Sequence, residues 1–426
     1  MRHTTAPIEN EQIRSHRRHV NGAGTDLQRE PDLCAGLTAN IEAGGPEVIE
    51  RNAKRWEELS EEARSAPFDR PEWISTYLRV FEPASEVLLL TVSRGSRLLA
   101  VLPLVRKKCL YAGVPLTKLA GPANEQTVRF DVVRSPSPSG EAAVYELWKL
   151  LRRIPGWQLL ELPTFPQDGA CQRLMECAGT EGYATVLLHS HDAPILRLET
   201  DRTGRLTWLH GTNRHFRHEL RRFGRLLETE MGGQPELVQR TDADPETLRK
   251  FFALEGSGWK GKEGTAINSD DRTRAFYEQV ARVSASRGYF RLHSLELNGT
   301  MAAGAFSVAT NDCFYPVKIC YDEALHRGCP GQVLFNSMLA DCAENRIPEF
   351  YFGGTADRYK MCWTPETIPH YNGFVFASGF RPGLAYALRA NVVSPLGRLR
   401  RYVRNRLQPV TLKGKARRGE LGLESL

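Results

Sequence analysis

Apolar residues first recur at helical spacing from Glu47, through Ile49, Trp56 and Leu59, which predicts a helix with one buried face. After Pro67 the run PEWISTYLRVF places Trp73, Ile74, Tyr77, Leu78 and Phe81 on one face. Pro71 suits its first turn, where a missing N–H costs nothing. Two continuous apolar runs, EVLLLTV and RLLAVLPLV, meet at Ser93-Arg94-Gly95-Ser96 and predict a hairpin. VRFDVV at 128–133 predicts a further strand, EAAVYELWKLLRRI a helix stopped at Pro155-Gly156, and WQLLELP the strand beyond it.

The same order returns about 200 residues later. FRLHSLEL and TMAAGAFSV flank Asn298-Gly299, a strong hairpin turn. CFYPVKICYD predicts a strand, GQVLFNSMLADCAENRI a helix, and EFYFGG a strand after Pro348. The two helix exits even match, with Arg153-Ile154-Pro155 in one half and Arg346-Ile347-Pro348 in the other. A repeated element order predicts a duplicated α/β unit. The expected boundaries are an unstructured or loosely attached segment over 1–45, a first domain over 46–190, a second over 191–380 and a tail over 381–426.

Composition narrows the setting. The chain has 426 residues, 41% hydrophobic and 25% charged, as in globular proteins with two ordinary domains. No run approaches the ~18 apolar residues of a membrane span, and MRHTTAPIENEQIRSHRRH has no apolar core of a secretory signal. The expected address is the cytoplasm. Nine cysteines form no CxxC pair and have no histidine at zinc-ligand spacing, so no metal is expected. Of the net charge of +7, the segment 381–426 carries eleven Lys or Arg against Glu420 and Glu424, leaving the rest of the chain slightly acidic. Nucleic acid is therefore not the expected partner of the body. Arg398, Arg400, Arg401, Arg404 and Arg406, beside Leu399, Val403 and Leu407, are either a solvated terminus or a peripheral contact with an anionic membrane.

Three stretches carry candidate chemistry. Arg327-Gly328-Cys329-Pro330-Gly331-Gln332 lies between a predicted strand and helix, where free N–H groups and the helix dipole favour an anion such as a phosphate. The alternative is a plain glycine-rich turn. Glu255-Gly256-Ser257-Gly258-Trp259-Lys260-Gly261 reads as a shaped loop. In it Glu255 is a candidate general base, and Trp259 and Lys260 are candidate substrate contacts. The competing reading is a Glu–Lys pair with Trp259 plugging the core. Gly353-Gly354-Thr355-Ala356-Asp357-Arg358-Tyr359-Lys360 follows a predicted strand end, offering Asp357 as a second base and Tyr359 and Lys360 as substrate-binding or proton-donating groups. Tyr315 and Lys318 alternate along or near the strand before the first stretch, where Lys318, amid apolar neighbours, either snorkels to the surface or faces a polar cleft. Arg214, Arg217, Arg221 and Arg225 recur along one predicted helix, as a solvated face or as a groove for an anion.

FRHELRRFGRLLE at 216–228, FFALEGSGWKGKEGTAI at 251–267, YDEALHRGCPGQVLF at 321–335 and YFGGTADRYKMCW at 351–363 resemble the GNAT-related acyltransferase family that includes CelD-like cellulose-biosynthesis proteins. APFDRPEWISTYLRVF and LLAVLPLV are similar to the first half of the same proteins. The resemblance implies tandem duplicated GNAT-like domains, each a mixed central sheet flanked by helices, as in FemABX-type transferases. It implies acyl transfer from acyl-CoA, acetyl-CoA first, to an amine or hydroxyl of a glycan or small acceptor in polysaccharide or envelope biosynthesis. On this reading Arg327, Gly328, Pro330, Gly331 and Gln332 hold the donor, while Trp259, Lys260, Tyr315, Lys318, Gly353 and Gly354 meet substrate. The alternatives are a Fem-like transferase using aminoacyl-tRNA and a non-catalytic subunit of a polysaccharide-export system.

Overall fold

Leu37, Ala39 and Ile41 alternate with polar residues, and Leu37–Gly44 forms a strand, β1, inside the segment expected to be unstructured. It pairs with its apolar residues turned to the core, from Leu37 opposite Arg94 to Gly44 opposite Val87. The computed structural model describes residues 34–389 apart from 202, 209–211 and 213. The arginine-rich segment 398–407 lies outside the described residues.

Helices α1 (Glu47–Glu62) and α2 (Pro71–Phe81) form where the apolar spacing predicts them. The hairpin β2 (Glu86–Arg94) and β3 (Arg97–Tyr111) follows, then β4 (Val114–Ala120). The strand expected over 128–133 is not there. Only the bridge β5 (Val133–Arg134) pairs with β3, and 121–132 runs as an irregular loop. The charges inside the run find partners off the ladder: Arg129 lies 3.4 Å from Asp69. Asp131 instead accepts the N–H groups of Ala170 (3.2 Å) and Cys171 (2.8 Å) at the start of a helix. After α3 (Pro138–Leu151) come β6 (Leu159–Pro166), α4 (Ala170–Thr180) and the long β7 (Ala184–Arg197).

A small ribbon, β8 (Glu199–Thr200) with β9 (Leu206–Thr207), leads into α5 (Arg214–Met231) and β10 (Glu236–Arg240). Then α6 (Pro245–Ser257), the single turn α7 (Trp259–Lys262) and α8 (Asp271–Ser286) precede the meander β11 (Phe290–Leu297), β12 (Thr300–Ala309) and β13 (Cys313–Tyr321). The described residues end with α9 (Pro330–Glu344), β14 (Glu349–Tyr351), the turn α10 (Arg358–Met361), β15 (Thr367–Phe376) and α11 (Phe380–Leu388).

Apart from the β8–β9 ribbon, the strands join in one mixed sheet, ordered β1-β2-β3-β4-β6-β15-β7-β14-β13-β12-β11-β10, with β5 on β3. Read inward from either end, the two halves repeat: an antiparallel meander, a crossover helix, then a parallel partner, β4 to β6 and β13 to β14. The middle is shared. β15, from the second half, lies between β6 and β7 of the first, and the last residues of β7 pair with β14 (Arg197 opposite Glu349). Each half is thus completed by a strand of the other.

On one face α1 and α2 of the first half and α6 and α8 of the second enclose a common core. Phe276 packs edge-on to Trp73 at 5.6 Å and beside Phe81 at 5.2 Å. The opposite face divides between α3 with α4 and α5 with α9. Truncating a buried ring such as Phe276 costs about 3–5 kcal/mol, enough to loosen both halves together.

Candidate active site

The parallel pair β13–β14 touches only at Cys313–Phe314 against Glu349–Phe350, and beyond Phe314 the two strands part. Where they part, the β12–β13 register slips: Phe306 faces Lys318 and Ser307 faces Pro316, leaving Val317 as an extra residue. Pro316, lacking an N–H, is tolerated at such a bulge. Pro316 to Ile319 are all half-buried in the middle of the sheet. The result is a notch with β13 as one arm and β14 as the other.

On the β13 arm three sequence-predicted residues come together. Lys260 Nζ donates to Glu255 Oε1 (3.2 Å) and to the Ile319 carbonyl (2.9 Å). The Ile267 N–H donates to Glu255 Oε2 (2.7 Å), so both carboxylate oxygens are engaged and the side chain has no exposure (0%). Lys318 Nζ stands 5.5 Å over the ring of Tyr277. Burial, and then repulsion by Lys260, push the Lys318 ammonium below its usual range. The expected loop is here a helix: Glu255, Gly256 and Ser257 close the last turn of α6, because Glu255 continues the buried face of Leu248, Phe251 and Phe252, and the break falls at Gly258. Gly261 is required by closeness, since a Cβ there would meet the Gly256 carbonyl at 1.9 Å. Trp259 does not plug the core; it is 54% exposed, and its backbone N–H donates to Glu323 Oε1 (2.7 Å).

On the β14 arm Gly353 and Gly354 take φ of 64° and 57°, a left-handed bend that favours glycine. Lys360 Nζ clips this bend by donating to the carbonyls of Gly353 (2.8 Å) and Thr355 (3.1 Å) and pairing with Asp357 (3.2 Å). Asp357 keeps 45% of its side chain exposed. Burial pushes the Tyr359 phenol up to about 12, and its ring stacks on Phe335.

At the base of the notch, α9 begins after Cys329, whose φ of 42° turns the chain into the helix. Gly328 lies against the backbone of α5, where a Cβ would sit 2.9 Å from Leu227 Cα. Gly328 therefore serves helix packing, while a Cβ on Gly331 would meet nothing closer than Tyr321 at 3.8 Å. Pro330 is buried in the first turn. Gln332 is engaged at both ends, donating to the Tyr359 carbonyl (2.9 Å) and accepting from Trp363 Nε1 (2.7 Å). Arg327 is mostly exposed, with Glu230 at 3.8 Å.

Sequence reasoning missed one wall of the site, the loop 121–132 lent by the first half. Gln126 accepts from the Tyr277 hydroxyl (3.1 Å), and Val128 lies where a Cβ on Gly353 would be 3.7 Å away. Arg129 sits between Asp69 (3.4 Å) and Asp131 (3.9 Å). Burial pushes the Asp69 carboxyl up to about 7, against the pull of Arg129. Tyr315 packs between Phe68 (5.3 Å) and Tyr351 (5.6 Å). The available signal was Arg129 and Asp131 alternating inside an apolar run, charges that a strand in this core could not have buried alone. Among the described residues no cluster of His, Cys, Asp and Glu could hold a metal ion, and no helix is long and apolar enough to cross a membrane.

Residues 214–361, which span both arms of the notch, match the acetyltransferase (GNAT) domain family. No curated protein is significantly similar to the chain. Among solved structures, FemX aligns at TM-score 0.51 and 11% identity, over 80% of this chain and 97% of that one. L-PGS from Bacillus licheniformis aligns at 0.48 and 11% identity, over 79% and 96%. The tandem GNAT protein from the clavulanic acid biosynthesis pathway aligns at 0.42 and 13% identity, over 80% and 100%. At such identities the likeness to FemX is one of fold. The chain is thus a mixed α/β protein of two GNAT-like halves in tandem, whose second half carries an acetyltransferase (GNAT) domain and so supports acyl transfer as its chemistry.

Proposed function

We propose that this protein is an N- or O-acyltransferase that moves an acyl group, acetyl first, from acyl-CoA to an amine or hydroxyl of a glycan or small acceptor. The carrying observation is the notch, opened by the parting of β13 from β14 inside the matched domain. The acyl thioester lies along the β13 edge, and the pyrophosphate end reaches the start of α9, where Gly331 leaves room. Trp259, Lys260, Tyr315, Lys318, Gly353 and Gly354 surround the acceptor. The acceptor's nitrogen or oxygen bonds to the carbonyl carbon, the C–S bond breaks, and the proton released by the acceptor balances the departing thiolate.

Of the two candidate bases, Asp357 has an accessible carboxylate and Glu255 does not. We assign proton acceptance to Asp357, through water, and give Glu255 the task of fixing Lys260. Tyr359, kept protonated, is the proton donor to the thiolate. Asp357→Asn should lower kcat by about 10²–10⁴ with little change in the donor constant. Glu255→Gln should instead cost about 2–4 kcal/mol in urea unfolding, by unpairing a buried ammonium. A stable Glu255→Gln protein with the larger loss of turnover would move the base to Glu255.

The setting we propose is polysaccharide or envelope biosynthesis in the cytoplasm, as the resemblance to CelD-like proteins implies, with peripheral membrane contact through the basic tail. Phe380 and Leu384, exposed on α11 just before that tail, support the contact. A second donor reading, aminoacyl-tRNA, is favoured by α5. Its residues Arg214, Arg221 and Arg225 are exposed and make no ion pair among the described residues, and α5 abuts the turn before α9 at Gly328. Thermal-shift titration with acetyl-CoA, longer acyl-CoA and aminoacyl-tRNA separates the donors, since a ligand of the native state raises Tm with concentration. A shift with none of them would leave the non-catalytic reading.

A further inference from the structure

The charge around the notch does not balance on one side. Glu255 and Lys260 neutralise each other, and Lys360 is paired with Asp357. Arg129 lies between two carboxylates. Lys318 is different: among the described residues its ammonium has no hydrogen-bond acceptor and no carboxylate within ion-pair distance, only the π face of Tyr277. Of the carboxylates that act on it, Glu255 is already paired with Lys260, and Glu125 of the crossing loop is at an exposed position and forms no ion pair among the described residues. Yet Lys318 is half-buried, one residue past the bulge of β13. A cation partly withdrawn from water with no carboxylate of its own is costly, and the cost is relieved by an anion brought from outside.

The side of the sheet identifies what brings it. Lys318 faces Phe306, and so the face covered by α6 and α8. Helix α9, whose first turn suits the donor's phosphates, covers the opposite face together with Phe314 and Ile319. An anion on Lys318 therefore belongs to the acceptor and not to the phosphate end of the donor. We propose that Lys318 is an anchor for an anionic group, carboxylate or phosphate, on the acceptor, so that the acceptor is an acid carrying the reacting amine or hydroxyl and not a neutral sugar.

This rests on the acyl-transfer reading, and its test is separable from it. Lys318→Met keeps the stem and removes the charge. With acetyl-CoA as donor, turnover is measured for matched acceptors: amino acids against their amides, and glucosamine 6-phosphate against glucosamine. The carboxylate and phosphate pairs distinguish the two sources of the anion. The acid of one pair should be preferred by about tenfold or more in kcat/KM, as a charged hydrogen bond is worth, and the preference should vanish in Lys318→Met through KM. In parallel, acetate or inorganic phosphate should raise Tm of the unaltered protein and not of the variant, whereas acetyl-CoA should raise both. Equal use of acid and neutral partner, a preference that survives Lys318→Met, or identical anion shifts in both proteins would overturn the proposal. Loss of the acetyl-CoA shift in both proteins would instead refute the acyl-CoA reading beneath it.

Discussion

The two halves share a topology and differ at the corresponding place. In the first half β4 and β6 stay together from Lys118 opposite Leu159 to Ala120 opposite Glu161, and Gly121 N–H still donates to the Glu161 carbonyl (3.0 Å). Lys118 and Glu161 pair across the junction at 2.5 Å. The crossover helix α3 begins under its own chain: a Cβ on Gly140 would lie 1.9 Å from the Ser135 carbonyl. In the second half the strands part after two residues, and the start of α9 has space at Gly331. The first half is therefore closed where the second is open. What it contributes is a wall: the loop leaving β4 crosses to the other half and places Gln126, Val128 and Arg129 there.

The largest test of this division removes the shared strand. Ending the chain before Thr367 deletes β15, exposing facing edges of β6 and β7. A long edge of unpaired N–H and C=O groups in an apolar sheet invites aggregation. The first half, though all its own residues remain, should lose cooperative unfolding and near-UV circular dichroism. A first half that still melts sharply without β15 would show that the halves are independent bodies.

How much of this was legible in the sequence follows from what each feature depends on. The hairpins at 86–105 and 290–308 rest on local alternation and turn residues, and both form. The helices at Glu47, Pro71, Pro138 and Pro330 carry one-sided apolar faces and form as well. What failed depends on distant partners. VRFDVV has strand composition, but only its last residue, Val133, joins the ladder, while Arg129 finds Asp69 far back in the chain and across the fold. Glu255 sits in a helix because it continues the buried face of Leu248, Phe251 and Phe252. Nothing near residue 370 announces that Thr367–Phe376 pairs with strands 200 residues earlier. The candidate site was partly legible: Glu255, Lys260 and Lys318 do lie together, but the groups opposite them come from the other half.

A smaller, local test compares the two crossover helices. Gly140→Ala forces a methyl against the Ser135 carbonyl, which must shift, so a loss of about 1–3 kcal/mol is expected. Gly331→Ala meets ordinary contact distance and should change stability by less than about 0.5 kcal/mol. Urea midpoints of the two variants decide the matter. Equal losses would mean that the start of α9 is as tightly closed as that of α3, and the notch would lose its end.

The smallest effect lies in the seam itself and depends on pH. His370, on β15, is fully buried (0% exposed) and stacks on His191 of β7 at 4.8 Å. Its Nδ1 faces the Ile368 carbonyl at 3.0 Å, which can only accept, so Nδ1 carries the proton and Nε2 takes the Tyr351 hydroxyl's. A protonated ring would put a second donor against that hydroxyl, and burial holds the imidazole down, to about 4 from 6.5. In the folded protein the ring thus stays neutral where the unfolded chain binds a proton. The stabilisation is present above pH 6.5 and is lost as pH falls toward 4, on the order of 2–3 kcal/mol across that window. His370→Gln cannot titrate and should flatten this part of the stability profile, while being less stable at pH 7 for want of the stacked ring. Urea midpoints of both proteins at pH 7, 5.5 and 4.5 measure the difference. Parallel profiles would mean that the seam opens enough for His370 to titrate as it does in the unfolded chain, and that the strand binding the two halves is less firmly closed than its hydrogen bonds suggest.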